Sequence, residues 1–139
     1  MRAVLDANVL ISAAIGFGPP RRVLHLWRTS RSFELIACPR LLEEVTAVLL
    51  ERPRMRRLIS PAAARSHLDA LIADAETMPD PADFERFTRD PNDDYLVALA
   101  RLHDADVIVS GDRDLLEWEE QSPPVVTPAA FEAMLTSTG

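Results

Sequence analysis

Residues 106–118 read DVIVSGDRDLLEW. Val107, Ile108 and Val109 are three consecutive β-branched residues, suited to a buried strand, and Ser110-Gly111 closes the run with turn-forming residues. Asp112 and Asp114 follow at once and precede Leu115-Leu116, so a strand passes into a helix with acids at the junction. The same arrangement opens the chain, where residues 3–5 (AVL) stop at Asp6 and NVLISAAI reads as the start of a helix. Further strands are expected in FELIAC (33–38), weakly at 76–78, and in PVVT (124–127).

Helical patterns fill the intervals. RRVLHLWR (21–28) places Val23, Leu24, Leu26 and Trp27 at helical spacing, and RLLEEVTAVLLER (40–52) is strongly amphipathic. PAAARSHLDALIADA (61–75) follows Ser60 as cap, with Pro61 as first helical residue, and DDYLVALARLHDA (93–105) follows a stretch rich in Pro and Asp. PAAFEAML (128–135) is a short terminal helix. Strands alternating with helices predict an α/β fold with a mainly parallel sheet, over residues 1–139 as a single domain. In such sheets the active site lies at the carboxyl ends of the strands, which singles out Asp6 and the Ser110-Gly111-Asp112 turn.

With 139 residues, 47% hydrophobic and 27% charged, the chain can bury a core without disulfides or structural metal. Cys38 is the only cysteine, which excludes an intrachain disulfide and a Cys-rich zinc site and suggests a reducing compartment. No apolar run approaches membrane-spanning length and no signal is recognisable, so a cytoplasmic protein is expected. The net charge of −7 opposes nucleic-acid binding at first sight, but the cations are all arginine and clustered: Arg21, Arg22, Arg28 and Arg31, then Arg52, Arg54, Arg56 and Arg57. Each cluster is either a solvated helix face or a phosphate contact, and Arg54, Arg56 and Arg57 are the candidates for contacting a phosphate backbone.

Two acids are picked out by helical phase. In residues 40–52 the apolar stripe of Leu41, Leu42, Val45, Val48 and Leu49 leaves Glu43 opposite it and Glu44 on its flank, able to look into a cleft. In residues 93–105 the face of Leu96, Val97, Leu99, Ala100 and His103 has Asp93 beside it and Asp94 well away, which predicts Asp94 and Glu43 as the exposed members of each pair. Each acid alone has an ordinary reading as a helix cap, with Asp90 as N-cap and Asp93 in the first turn. Together, carboxylates gathered at strand ends and cleft-facing turns repel and need a cation, and hard oxygen ligands suit Mg²⁺ or Mn²⁺.

VLDANVLISA (4–13), LLEEVTAVL (41–49), DPNDDYLVALA (90–100) and VIVSGDRDLL (107–116) resemble, in order and spacing, the successive motifs of PIN-domain proteins, especially VapC-like toxin components of toxin–antitoxin pairs. The resemblance implies a three-layer α/β/α sandwich around a five-stranded, mainly parallel sheet. It implies metal-binding catalytic acids at Asp6, Glu44, Asp93 and Asp112, with Asp114 as helper and Asn8 and Ser110 in hydrogen-bonded support. It further implies metal-dependent hydrolysis of RNA, a homodimer and a cognate antitoxin, which would place a basic side chain among the acids.

Two rivals are weighed against that reading. A phosphoaspartate enzyme is opposed by Asp6-Ala7-Asn8, which lacks a second Asp at that spacing, and by the absence of any Lys. A catalytically inactive PIN-like module that binds RNA or protein is opposed by the presence of all four acids. His25, His67 and His103 are scattered and form no competing site, and Cys38, Trp27 and Trp118 read as packing residues.

Overall fold

The structure, a computed structural model, describes residues 1–82, 84, 88 and 91–137, with backbone alone at 91 and 92. Strands β1 (Arg2–Leu5), β2 (Glu34–Ala37), β3 (Glu76–Thr77), β4 (Val107–Val109) and β5 (Val125–Val126) form one sheet. Their order across it is β3-β2-β1-β4-β5, and all four pairings are parallel. The helices are α1 (Ala7–Ile15), α2 (Pro19–Ser30), α3 (Pro39–Thr46), α4 (Pro61–Asp74), α5 (Pro91–Leu102), α6 (Arg113–Leu116) and α7 (Pro128–Thr136). All five expected strands form, including the weak one at 76–78, which is the exposed edge strand β3.

From β1 the chain steps outward through β2 to β3, and these crossovers carry α1 to α4, which pack on one another. The return to β4, on the other side of β1, reverses the direction. Right-handed crossovers then put α5, which packs on β1 and β4, on the opposite face, giving the three α/β/α layers. Helix α7 packs back on α2, where Phe33 and Phe131 meet edge to face with centroids 5.0 Å apart. The core runs through the sheet as one cluster that includes Leu5, Leu35, Ile36, Leu41, Leu99 and Ile108, each contributing ~1.5–3 kcal/mol by burial.

The helix expected over 40–52 is α-helical only to Thr46. Residues Ala47–Glu51 widen into a π turn and Pro53–Arg57 form a 3-10 turn. At the junction the Thr46 hydroxyl donates to the Leu42 carbonyl at 2.8 Å, competing for an acceptor of the helical ladder. Pro53 cannot donate and holds Arg52 extended (φ −89°, ψ 116°), which ends the helix.

Candidate active site

The reversal between β1 and β4 sets the end of each strand beside the other. Past the strands the ladder continues, with the Asp6 amide donating to the Val109 carbonyl at 3.1 Å and the Ser110 amide to the Val126 carbonyl at 3.0 Å. Asp6 and Ser110 are thereby fixed side by side, and the Ser110 hydroxyl donates to Asp6 Oδ2. The other oxygen, Asp6 Oδ1, accepts the Val9 amide at 2.8 Å, so Asp6 is the N-cap of α1 as well as a member of the cluster. Ser110 Oγ also accepts the Asp112 amide at 2.9 Å, and Asp112 Oδ1 accepts the Asp114 amide at 2.9 Å, capping α6. One serine thus ties the two strand ends together.

Asp93, at the start of α5, brings a carboxylate oxygen within 4.8 Å of oxygens from Asp112 and Asp114. Asp6 is only 5% exposed. Burial pushes its pKa up, the Ser110 and Val9 hydrogen bonds pull against that, and the charges of Asp112 and Glu44 push it up further, leaving it raised. Glu44 therefore reaches the same field from α3. A groove of about 440 Å³ runs on from there, lined by Asn8, Glu44, Ala47, Val48, Arg52 and Met55. The π turn supplies part of its wall.

Of the residues expected from the sequence, Asp6, Glu44, Asp93 and Asp112 gather at this end of the sheet. Asp114 stands in the closest trio rather than beside it. Ser110 supports Asp6 and Asp112 by hydrogen bonds, whereas Asn8 is exposed on the groove wall and its side chain makes none to the acids among the described residues. Arg54, Arg56 and Arg57 are exposed on the 3-10 turn that follows the groove. Glu43 is exposed and Glu44 half-buried, as the helical phase predicts.

The second pair departs from expectation. Asp94 is fully buried and Asp93 is 8% exposed, the reverse of the predicted order. The reason is the chain ahead of α5: Thr88 donates its amide (2.8 Å) and its hydroxyl (2.9 Å) to Asp94 Oδ1, covering a flank of the helix that the wheel leaves open to solvent. Asp90, expected as N-cap, lies outside the described residues.

Sequence reading missed Arg40 and Tyr95. The Arg40 guanidinium lies 4.1 Å from the Tyr95 ring centroid and 3.8 Å from Glu44 Oε1. Tyr95 is buried, and burial together with the neighbouring Glu44 charge raises the pKa of its phenol far above the ordinary value. The i,i+4 spacing of Arg40 and Glu44 is the signal that was available for the arginine.

The donor set fits a hard divalent cation. Three carboxylates converge within 4.8 Å, and the neighbouring acids Asp112 and Glu44 raise the pKa of Asp6, so the charge there calls for neutralisation.

Two solved structures are similar in fold. That of PAE2754 from Pyrobaculum aerophilum matches with TM-score 0.63 at 19% identity, covering 99% of this chain and 90% of the other. That of VapBC2 from Rickettsia felis bound to a DNA fragment from their promoter matches with TM-score 0.62 at 12% identity, covering 91% of this chain and 98% of the other. No curated protein matches in sequence. The sequence matches the PIN domain family over residues 2–114, so the chain carrying this carboxylate cluster belongs to that family.

Proposed function

We propose that this chain is a metal-dependent ribonuclease of the cytoplasm, acting as a single PIN domain over residues 1–139 and serving as the toxin of a toxin–antitoxin pair. The observation that carries the reading is the convergence of Asp93, Asp112 and Asp114, with Asp6 and Glu44 in the same field, at the point where the sheet reverses. Asp6, Asp93, Asp112 and Glu44, with Asp114, hold Mg²⁺ or Mn²⁺, which when bound supplies an activated water and stabilises charge on the attacked phosphate. Ser110 orients Asp6 and the Asp112 backbone, and the Arg40 guanidinium, held over Tyr95, steadies Glu44. Arg54, Arg56 and Arg57 contact the RNA backbone, and the copies pair as a homodimer.

A cleavage assay on mixed RNA with Mg²⁺, with Mn²⁺ and with EDTA tests this directly. Cleavage with either ion and none in EDTA is expected. An intact fold that binds RNA and never cleaves it would leave the inactive PIN-like module as the reading. The antitoxin follows from the same electrostatics, because an arginine or lysine entering the carboxylate cluster would replace the cation with a charge-assisted pair. Co-purification with the product of an adjacent small reading frame should give a complex that no longer cleaves. A complex that cleaves at the free protein's rate would remove the toxin role.

A further inference from the structure

The arginines of α2 separate once their partners are considered. Arg22 forms a two-pronged pair with Glu132, and Arg31 lies 3.8 Å from Asp74. Arg21 and Arg28 are exposed and have no carboxylate at ion-pairing distance among the described residues. Both line a cleft of about 690 Å³ with His25 from α2, Ser66 and His67 from α4, and Ala13 from α1. No acid lines it, in a chain whose net charge is −7.

His67 is 8% exposed, and its Nε2 lies 3.0 Å from the Leu10 carbonyl. A carbonyl only accepts, so Nε2 carries a hydrogen, and burial holds the ring's pKa below the ordinary value, which favours its neutral form. The permanent positive charges of the cleft are the two guanidiniums. Beside them, in the turn before α2, Phe17 is 83% exposed and the Arg21 guanidinium carbon sits 5.1 Å from its ring centroid. Arg21 also donates to the Gly16 carbonyl at 3.2 Å, which holds its guanidinium over one face of Phe17 and leaves the other face to solvent. An exposed aromatic face next to arginines without a carboxylate partner is the combination that binds single-stranded nucleic acid, with phosphates on the cations and a base on the ring.

We propose that the cleft between α2 and α4, with Phe17 at its edge, is a second site for single-stranded nucleic acid, in which Arg21 and Arg28 hold phosphates and Phe17 stacks a base. An acidic protein segment would satisfy the arginines but would leave the exposed ring without a role. Ala13 lies seven residues beyond Asp6 in sequence, ~10 Å along α1, which sets the scale of separation between the cleft and the carboxylate cluster. The site extends the ribonuclease reading to a second stretch of the same substrate, and its binding is measurable without cleavage.

Fluorescence anisotropy with a labelled oligoribonucleotide of about a dozen nucleotides, in EDTA, tests it. Arg21→Gln with Arg28→Gln should weaken binding about tenfold and lower the salt slope by about 1.4, two phosphates' worth for a single strand. Phe17→Ala should weaken it about fivefold or more. Ser66→Glu, which adds a negative wall and removes no cation, should reproduce the loss. All four positions are exposed, and thermal melts check that the variants fold. Unchanged affinity and slope in the double variant, or no binding by the wild type at low salt, would overturn the proposal. So would displacement of the oligonucleotide by polyglutamate combined with wild-type binding by Phe17→Ala. Cleavage in Mg²⁺ is scored separately: a protein that cleaves while the double variant binds normally sinks this site alone, and one that binds through it without cleaving sinks only the nuclease reading.

Discussion

Asp6 does two jobs that pull its protonation in opposite directions. As the cap of α1 it needs a lone pair, and as a buried neighbour of Asp112 and Glu44 it carries a charge that is costly there. Its raised pKa means the native state takes up a proton more readily than the unfolded chain, so without a cation stability falls as pH rises above the ordinary carboxylate range. Asn keeps the lone pair for Val9 and drops the charge. Asp6→Asn should therefore raise the neutral-pH stability of the metal-free protein and lower RNA cleavage ~100-fold or more; thermal melts and a cleavage assay read the two effects. The single residues were legible in proportion to how local their environment is. Asp6 follows its strand directly and Asp112 closes the short turn after its own, whereas Asp94 is buried by Thr88, a contact that no helical wheel contains.

Among the elements, α3 shows how an end is finished from a distance. Cys38 at its N-cap makes no side-chain cap, and the Arg40 amide is met instead by Asp80 Oδ1 at 2.8 Å, forty residues on. Asp80→Ala should cost ~1 kcal/mol, as loss of a cap does, and urea titration checks it. The docking of α7 rests on Phe131, fully buried against Phe33. Phe131→Ala should cost ~3–5 kcal/mol and free the end of the chain to limited proteolysis, while the exposed Arg22–Glu132 pair should contribute little to holding the helix. The order of strands and helices could be read from hydrophobic period alone, because each element buries one face. The π turn at Ala47–Glu51 could not, since the apolar pattern runs on unchanged through the point where the Thr46 hydroxyl meets the Leu42 carbonyl.

At the scale of the molecule, the carboxylate cluster links metal, pH and stability. Mg²⁺ or Mn²⁺ should raise Tm at about pH 7.5, and the rise should shrink at about pH 5, where protons compete for the same oxygens. An equal rise at both would place the ion elsewhere. The sheet itself limits how copies assemble. Both of its edges, Glu76–Thr77 and Val125–Val126, are two residues long, and both residues of the first are exposed to solvent. An edge that short offers too few free amides and carbonyls to template another chain, which guards the protein against runaway strand-on-strand aggregation. Any dimer it forms must then be built on helix faces, with the two sheets remaining separate.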